Sequence, residues 1–428
     1  MQPLWGDADQ DHRIKLAREW DDLVQQVRHL KGFQDFHQPK PAPRLLPAAS
    51  EGPVVIVNIS QWRCDALLVR ASGVEPLPLP ELSIDTVADR LSEFLSKLQA
   101  MDEAVQRLVE ARHRAAVELS HANSLAAFRS GQQLLQAEEA ADATLLSING
   151  WLWETVAAPI MSALDLTGPP DAGQPWPRVW LCPTGPLTLL PLHAAGASVG
   201  ESMIDLCAPS YTPSLQALLA ARTSSPADIQ AVSKRVLLVA VPELEGYARL
   251  GNSVTDSALT RLLSPERLTV LDDPSTTRAM VLEELAGHQV VHFDCHGDQN
   301  LNEPSSGGLR LADGTLSILD IANQPWRGEL AGLAACKTAV GGIDLLDEAI
   351  TLTAALHYTG YRHVLGTLWS VRNDVTRELF NALYIAIHVA GDLDVTRAPL
   401  ALHTLVRRFR ADYPVQPRLW APFIHMGP

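Results

Sequence analysis

The sequence predicts an α/β protein: a doubly wound, mostly parallel sheet flanked by helices, preceded by an α/β half that carries a long helical insertion. Three observations lead there. The chain of 428 residues is 46% hydrophobic and 19% charged, the composition of a folded globular protein. Its length holds one large core or two ordinary ones. Short apolar runs, VWLCP (179–183), RVLLVAV (235–241), VVHF (290–293), LAGLAA (330–335) and HVLGTLW (363–369), have the character of strands buried on both faces. Helical patterns at 276–286, 345–358, 375–388 and 396–410 lie between or after them, and such alternation builds a parallel sheet covered by helices.

From the start of the chain, Leu16, Trp20, Leu23, Val27 and Leu30 alternate at spacings of four and three, which predicts one amphipathic helix within 11–31. Five prolines between residues 37 and 53 then predict an extended linker. PVVIVNIS and ALLVR, separated by QWRCD, read as a hairpin or as two neighbouring strands. From Ile84 to Leu164 the period becomes helical, with Ile84, Val87, Leu91, Leu95, Leu98, Met101, Val105 and Leu108 on one face. The turn-rich TGPPDAGQPWPR ends that insertion. The expected organisation is a helix at 1–36, a linker at 37–53, a first half at 54–232 and a second half at 233–428.

The formal charge of −15 argues against nucleic-acid binding, which requires a basic face to displace counterions. No apolar run reaches the roughly 18 residues of a membrane span, and MQPLWGDADQDH lacks a signal-peptide layout, so no membrane association and a cytoplasmic location are expected. The five cysteines are odd in number and without CxxC spacing, which indicates neither a disulfide framework nor a zinc ribbon. Cys64, Cys182 and Cys207 are read as small buried hydrophobes.

Chemistry concentrates at two strand ends, where the loops of a doubly wound sheet converge. VVHFDCHGD ends one strand in Asp294, Cys295, His296 and Gly297, and LAGLAACKTA ends another in Cys336, forty residues after His296. A free thiol titrates at about 8.5, and a neighbouring imidazole lets the reactive thiolate exist at neutral pH. Gly297, without a side chain, can bring its N–H close to a substrate oxyanion, and the N–H of Cys336 is a second candidate donor. Spacing alone leaves these residues as either packed core or catalytic pair.

HFDCHG, then LAGLAACKTA, then GYRHVLGTLWSV resemble the signature of the CHAT family, caspase-like domains related to caspases and separases. RCDALLV (63–69), WLWETVAAPI (151–160), WLCPTGPLTLLPLHAAG (180–196) and LWAPFIHMG (419–427) extend the resemblance over about residues 52–428. It implies a caspase-like fold and a cysteine endopeptidase with His296 and Cys336 as its dyad. It also implies protein or peptide substrates, a regulatory protein partner, no cofactor, no metal, and cleavage after a basic residue held by an acidic pocket. For that pocket Asp374 is the first candidate, Asp294 the second. Asn373 stands where relatives usually carry an acid, and only one helix precedes the domain where many relatives carry helical repeats.

Other readings compete. The sequence is also compatible with a non-catalytic caspase-like scaffold, and with an esterase or acyltransferase using the same cysteine. A zinc site from His292, Cys295, His296 and Cys336 has suitable ligand types, but strand alternation points His292 and Cys295 to opposite faces. His193, flanked by Leu192, Ala194 and Ala195, reads as a hydrogen-bonded core residue, and Cys295 as a packed thiol. Asp344, Asp347 and Glu348 read as a solvated loop and helix start. GASVG at 196–200 matches the letters of a serine nucleophile elbow, yet no buried strand leads into it, and Ser198 reads as a loop residue.

Overall fold

Buried aliphatic strands organise the molecule. The structure is a computed structural model and describes residues 7–31, 33, 36, 38, 40–118, 120–198, 200–223, 234–241, 244, 250, 254–298, 306–322, 328–334 and 351–428. Chain contacts divide it into two units, 1–45 and 46–428. The first contains the predicted amphipathic helix, found at Asp7–Arg28 and closed by the Arg28 Nε bond to the Phe36 carbonyl.

Among the described residues, the second unit is built on one eleven-stranded sheet. In chain order its first seven strands are β1 (Val54–Asn58), β2 (Asp65–Arg70), β3 (Gly73–Pro78), β4 (Arg178–Pro183), β5 (Ala208–Tyr211), β6 (Val236–Ala240) and β7 (Leu268–Leu271). Then come β8 (Val290–Asp294) and a small antiparallel sheet of β9 (Gly297–Asp298), β10 (Gly308–Leu311) and β11 (Gly314–Ser317). The main sheet resumes with β12 (Leu330–Leu333), β13 (His363–Thr367) and β14 (Phe423–Met426), in the spatial order β3-β2-β1-β4-β5-β14-β13-β12-β8-β6-β7.

Two parallel blocks, β1-β4-β5 and β13-β12-β8-β6-β7, meet at β14, which is parallel to β5 and antiparallel to β13. The central strands β6, β12 and β13 are buried along their whole length, as their apolar sequences require. At one edge, Pro76 and Pro78 in β3 carry no N–H, which protects an exposed strand from further pairing. The predicted architecture of a mostly parallel, helix-flanked sheet is therefore the observed one. Strands β3, β5, β7 and β14, which the apolar-run criterion passes over, complete it.

The proline-rich stretch closes in the helical turns Ala42–Leu45 and Leu46–Ala49 rather than running extended. Ala48 and Ala49 pack with Val54, Val69, Trp180 and Leu218, and that burial explains the coiling. The helical insertion is a hairpin of Ile84–Val117 and His121–Leu152, capped by Ser83 and Ser120, whose hydroxyls accept the N–H of Thr86 and Asn123. The buried face of its first helix runs Val87, Leu91, Phe94, Leu98, Met101, Ala104, Leu108 and Ala111. Phe94 and Ala104 thus take the inward positions assigned to Leu95 and Val105, which keeps Val87, Phe94, Met101 and Leu108 on the seven-residue repeat of two helices packed along their length. No described helix is long and apolar enough to cross a membrane.

Candidate active site

The chain runs from β6 to the edge strand β7 and returns to β8 on the other side of β6, so the carboxyl ends of β6 and β8 flank a topological switch point. At that end β8 and β12 run side by side in register, with Phe293 opposite Leu333. The Val241 N–H donates to the Asp294 carbonyl (3.1 Å), and the Ala334 N–H donates to the Phe293 carbonyl (2.8 Å). Both strands therefore leave the sheet together, at Asp294 and at Ala334.

His296 follows Asp294 by two residues, in the short connection to β9. Its carbonyl accepts the Arg310 N–H (2.8 Å), and Gly297 pairs with Leu309. Hydrogen-bonded and non-hydrogen-bonded pairs alternate in an antiparallel ladder. With His296 and Arg310 bonded, the next pair is of the open kind, and the Gly297 N–H points away from β10. Cys295, between them, is buried, as its packed reading requires. Cys336, Asp344, Asp347 and Glu348 lie outside the described residues.

Asp294 and Ala334 line one pocket together with Asn373, Thr376, Arg377, Asn381 and Ser257. Its floor is His292, whose Nδ1 lies 2.9 Å from the Tyr384 hydroxyl and whose ring meets Phe380 edge-on at 4.9 Å. Burial holds the His292 pKa down to about 3, so this imidazole is neutral. The close stack needs Gly332 on the neighbouring strand: a Cβ there would stand 2.7 Å from the Tyr384 hydroxyl and 2.9 Å from His292 Nδ1.

The helix Asn373–Ile387 forms the opposite wall. Arg377 donates from Nη2 to the Leu250 carbonyl (2.7 Å) and faces Asp256 at 3.6 Å. Asn381 accepts the Ala258 N–H (2.7 Å) and donates to the Asp256 carbonyl (2.9 Å). Of the three predicted substrate contacts, Asp294 and Asn373 line the pocket. Asp374 is not among its lining residues and forms a bidentate pair with Arg372 at 2.5 and 3.1 Å on the exposed helix start. That hydrogen-bonded pairing holds the Asp374 carboxyl below its ordinary range.

Sequence reasoning missed Ser257, Arg377, Asn381 and Tyr384. A signal was present, since Asn373, Arg377, Asn381 and Tyr384 follow at spacings of four, four and three and share one helix face. Other histidine and cysteine readings resolve as packing. His193 is buried with Nδ1 2.9 Å from the Tyr211 hydroxyl, and burial lowers its pKa to about 3. Cys64, Cys182 and Cys207 are buried, and burial raises the last two thiols to about 12. Ser198 is half of an exposed pair with Glu201 in a two-stranded turn.

Comparison with known proteins adds a family to this geometry. No curated protein sequence matches the chain. Two crystal structures of the Saccharomyces cerevisiae separase–securin complex share its fold, each with a TM-score of 0.54, at 10% and 11% sequence identity over 90% and 95% of this chain. This chain spans about a third of the separase chain, 30% and 32% in the two structures. At such identity the likeness is one of fold, the caspase-like α/β sheet. The CHAT domain family model matches residues 147–428, a span that begins in the second hairpin helix and takes in every residue lining the pocket. By that match the chain belongs to the CHAT-domain family.

Proposed function

We propose that this protein is a cysteine endopeptidase in which Cys336 is the nucleophile and His296 the proton-transfer partner. The observation that carries the reading is the parallel exit of β8 and β12 beside one pocket, since His296 follows Asp294, and Cys336 follows Ala334, by two residues each. His296 takes the thiol proton, and the thiolate attacks the scissile carbonyl. The Gly297 N–H, pointing away from β10, and the Cys336 N–H stabilise the oxyanion. His296 then protonates the leaving amine, and water hydrolyses the thioester with the imidazole as base.

In the same reading the pocket takes the residue before the scissile bond, and that residue is basic. Asp294 supplies the charge-assisted partner and Asn373 a neutral contact at the mouth. Asp294 lines the pocket and Asp374 does not, which supports Asp294 over Asp374 as the selecting acid. The separase structures hold a protein partner, securin, and a regulatory partner is proposed for this chain as well.

The test is cleavage of fluorogenic peptides that differ only at the residue before the cut. Wild type should cleave arginyl and lysyl peptides, with arginine preferred. Cys336→Ala and His296→Ala should be inactive, and Asp294→Asn should lose the basic preference by about tenfold or more while Asp374→Asn keeps it. Cleavage surviving in Cys336→Ala, or a preference for aspartate, refutes the reading.

A further inference from the structure

The helical hairpin reaches the pocket through a buried ionic lock. Glu138 and Asp142, one turn apart on the second hairpin helix, both face Arg418: Nη2 lies 3.1 Å from Glu138 Oε2 and Nε 3.0 Å from Asp142 Oδ2. The Arg418 N–H also donates to Asp142 Oδ1 (3.1 Å). The three side chains are 17%, 8% and 7% exposed in the order Glu138, Asp142, Arg418. The Arg418 carbonyl accepts the indole N–H of Trp369 at 3.2 Å, and Trp369 is fully buried. Phe94, from the other hairpin helix, meets the Trp369 ring edge-on at 5.2 Å.

Trp369 precedes Asn373 at the pocket mouth by four residues, and Leu368 is tied by its N–H to the Pro422 carbonyl (2.9 Å). Leu368 and Trp369, which lead to Asn373, are thus clamped between the hairpin and the 417–422 turn. Two carboxylates face one guanidinium, and burial raises the Asp142 carboxyl to about 6. Buried ion clusters add little net stability over well-packed apolar groups. What this one supplies is a fixed position for the segment it holds.

We propose that Glu138, Asp142 and Arg418 are positioning residues, and that the hairpin is an arm whose seating sets the geometry of the pocket mouth at Leu368–Asn373. The geometry stands apart from the peptidase reading; the consequence for substrate rests on it. Moving the arm, by a partner or by mutation, releases Trp369 and with it Asn373.

Hydrogen–deuterium exchange on the full chain tests the proposal without requiring turnover. Asp142→Asn should raise exchange in Leu368–Thr376 by about tenfold or more while β1–β3 keep wild-type protection. If the variant turns over peptides, KM for an arginyl peptide should rise with kcat nearly unchanged, and Asp142→Glu should recover part of the loss. Unchanged exchange in Leu368–Thr376 overturns the proposal. Should Asp142→Asn fail to fold, the less buried Glu138→Gln carries the same test, with a smaller increase expected in the same segment and none refuting it. A wild type that cleaves nothing while the exchange responds as stated would refute the peptidase reading and leave the arm intact.

Discussion

Gly332 shows how a single residue shapes the pocket. It lies on β12, and the neighbouring His292 and Tyr384 occupy the space where its side chain would be. Gly332→Ala should therefore cost about 1–3 kcal/mol through overpacking, or push the His292–Tyr384 pair into the pocket. Denaturant unfolding measures the first effect; an unchanged midpoint together with unchanged peptide selectivity would contradict both. The two candidate acids illustrate a second residue-scale point. Asp294 and Asp374 are equally visible as carboxylates in the sequence, but only Asp294 lines the pocket, whereas Asp374 pairs with Arg372 on the exposed helix start.

Among the elements, the hairpin combines an anchored base with a solvated surface. Phe94 is 1% exposed against Trp369, while Phe128 on the second helix is 63% exposed. Phe94→Ala should cost about 3–5 kcal/mol, and Phe128→Ala should stay within about 0.5 kcal/mol. Equal effects in thermal unfolding would show that the hairpin is not anchored where the structure places it. The same elements show which parts of the fold local sequence reveals. Strands β1, β2, β4, β6, β8, β12 and β13 announce themselves as apolar runs, because both faces or one face must be buried. Strand β5 does not, since APSY is short and contains Pro209. Nor does β14, whose His425 reads as polar until His363 and Ser210 on the flanking strands satisfy it. The strand ends carrying Asp294 and His296 are legible because their motif is contiguous. The pocket floor is not, because His292 and Tyr384 are 92 residues apart and meet only after the helix Asn373–Ile387 packs on the sheet.

Across the whole molecule, β14 joins the two parallel blocks, and a chain of buried polar groups crosses that joint. Ser210 Oγ lies 2.7 Å from His425 Nδ1, and His425 Nε2 lies 3.0 Å from His363 Nδ1. Burial depresses the pKa of His363 to about 3 and of His357 to about 4, and takes His425 well below its ordinary value. His193, His292 and His403 are likewise held down to about 3. Because these folded values lie below the unfolded value of 6.5, the stability they contribute is complete above that pH. It is lost as pH falls towards the folded values, at up to about 1.4 kcal/mol per pH unit for each histidine. The thermal midpoint should be flat above pH 7 and drop steeply below about 6.5; a midpoint held constant down to pH 5 would contradict the buried neutral network. This fold brings the ends of β8 and β12 to one pocket, and the function proposed for it rests on one relation, the thiol of Cys336 beside the imidazole of His296. The most direct measurement of that relation is the pH dependence of alkylation at Cys336, read by mass spectrometry in wild type and in His296→Ala. The account predicts rapid modification of Cys336 in wild type already at pH 6, ahead of the other four thiols, and about tenfold or greater slowing in the variant. Alkylation of Cys336 that follows an ordinary thiol titration near 8.5 and is indifferent to His296→Ala would contradict it.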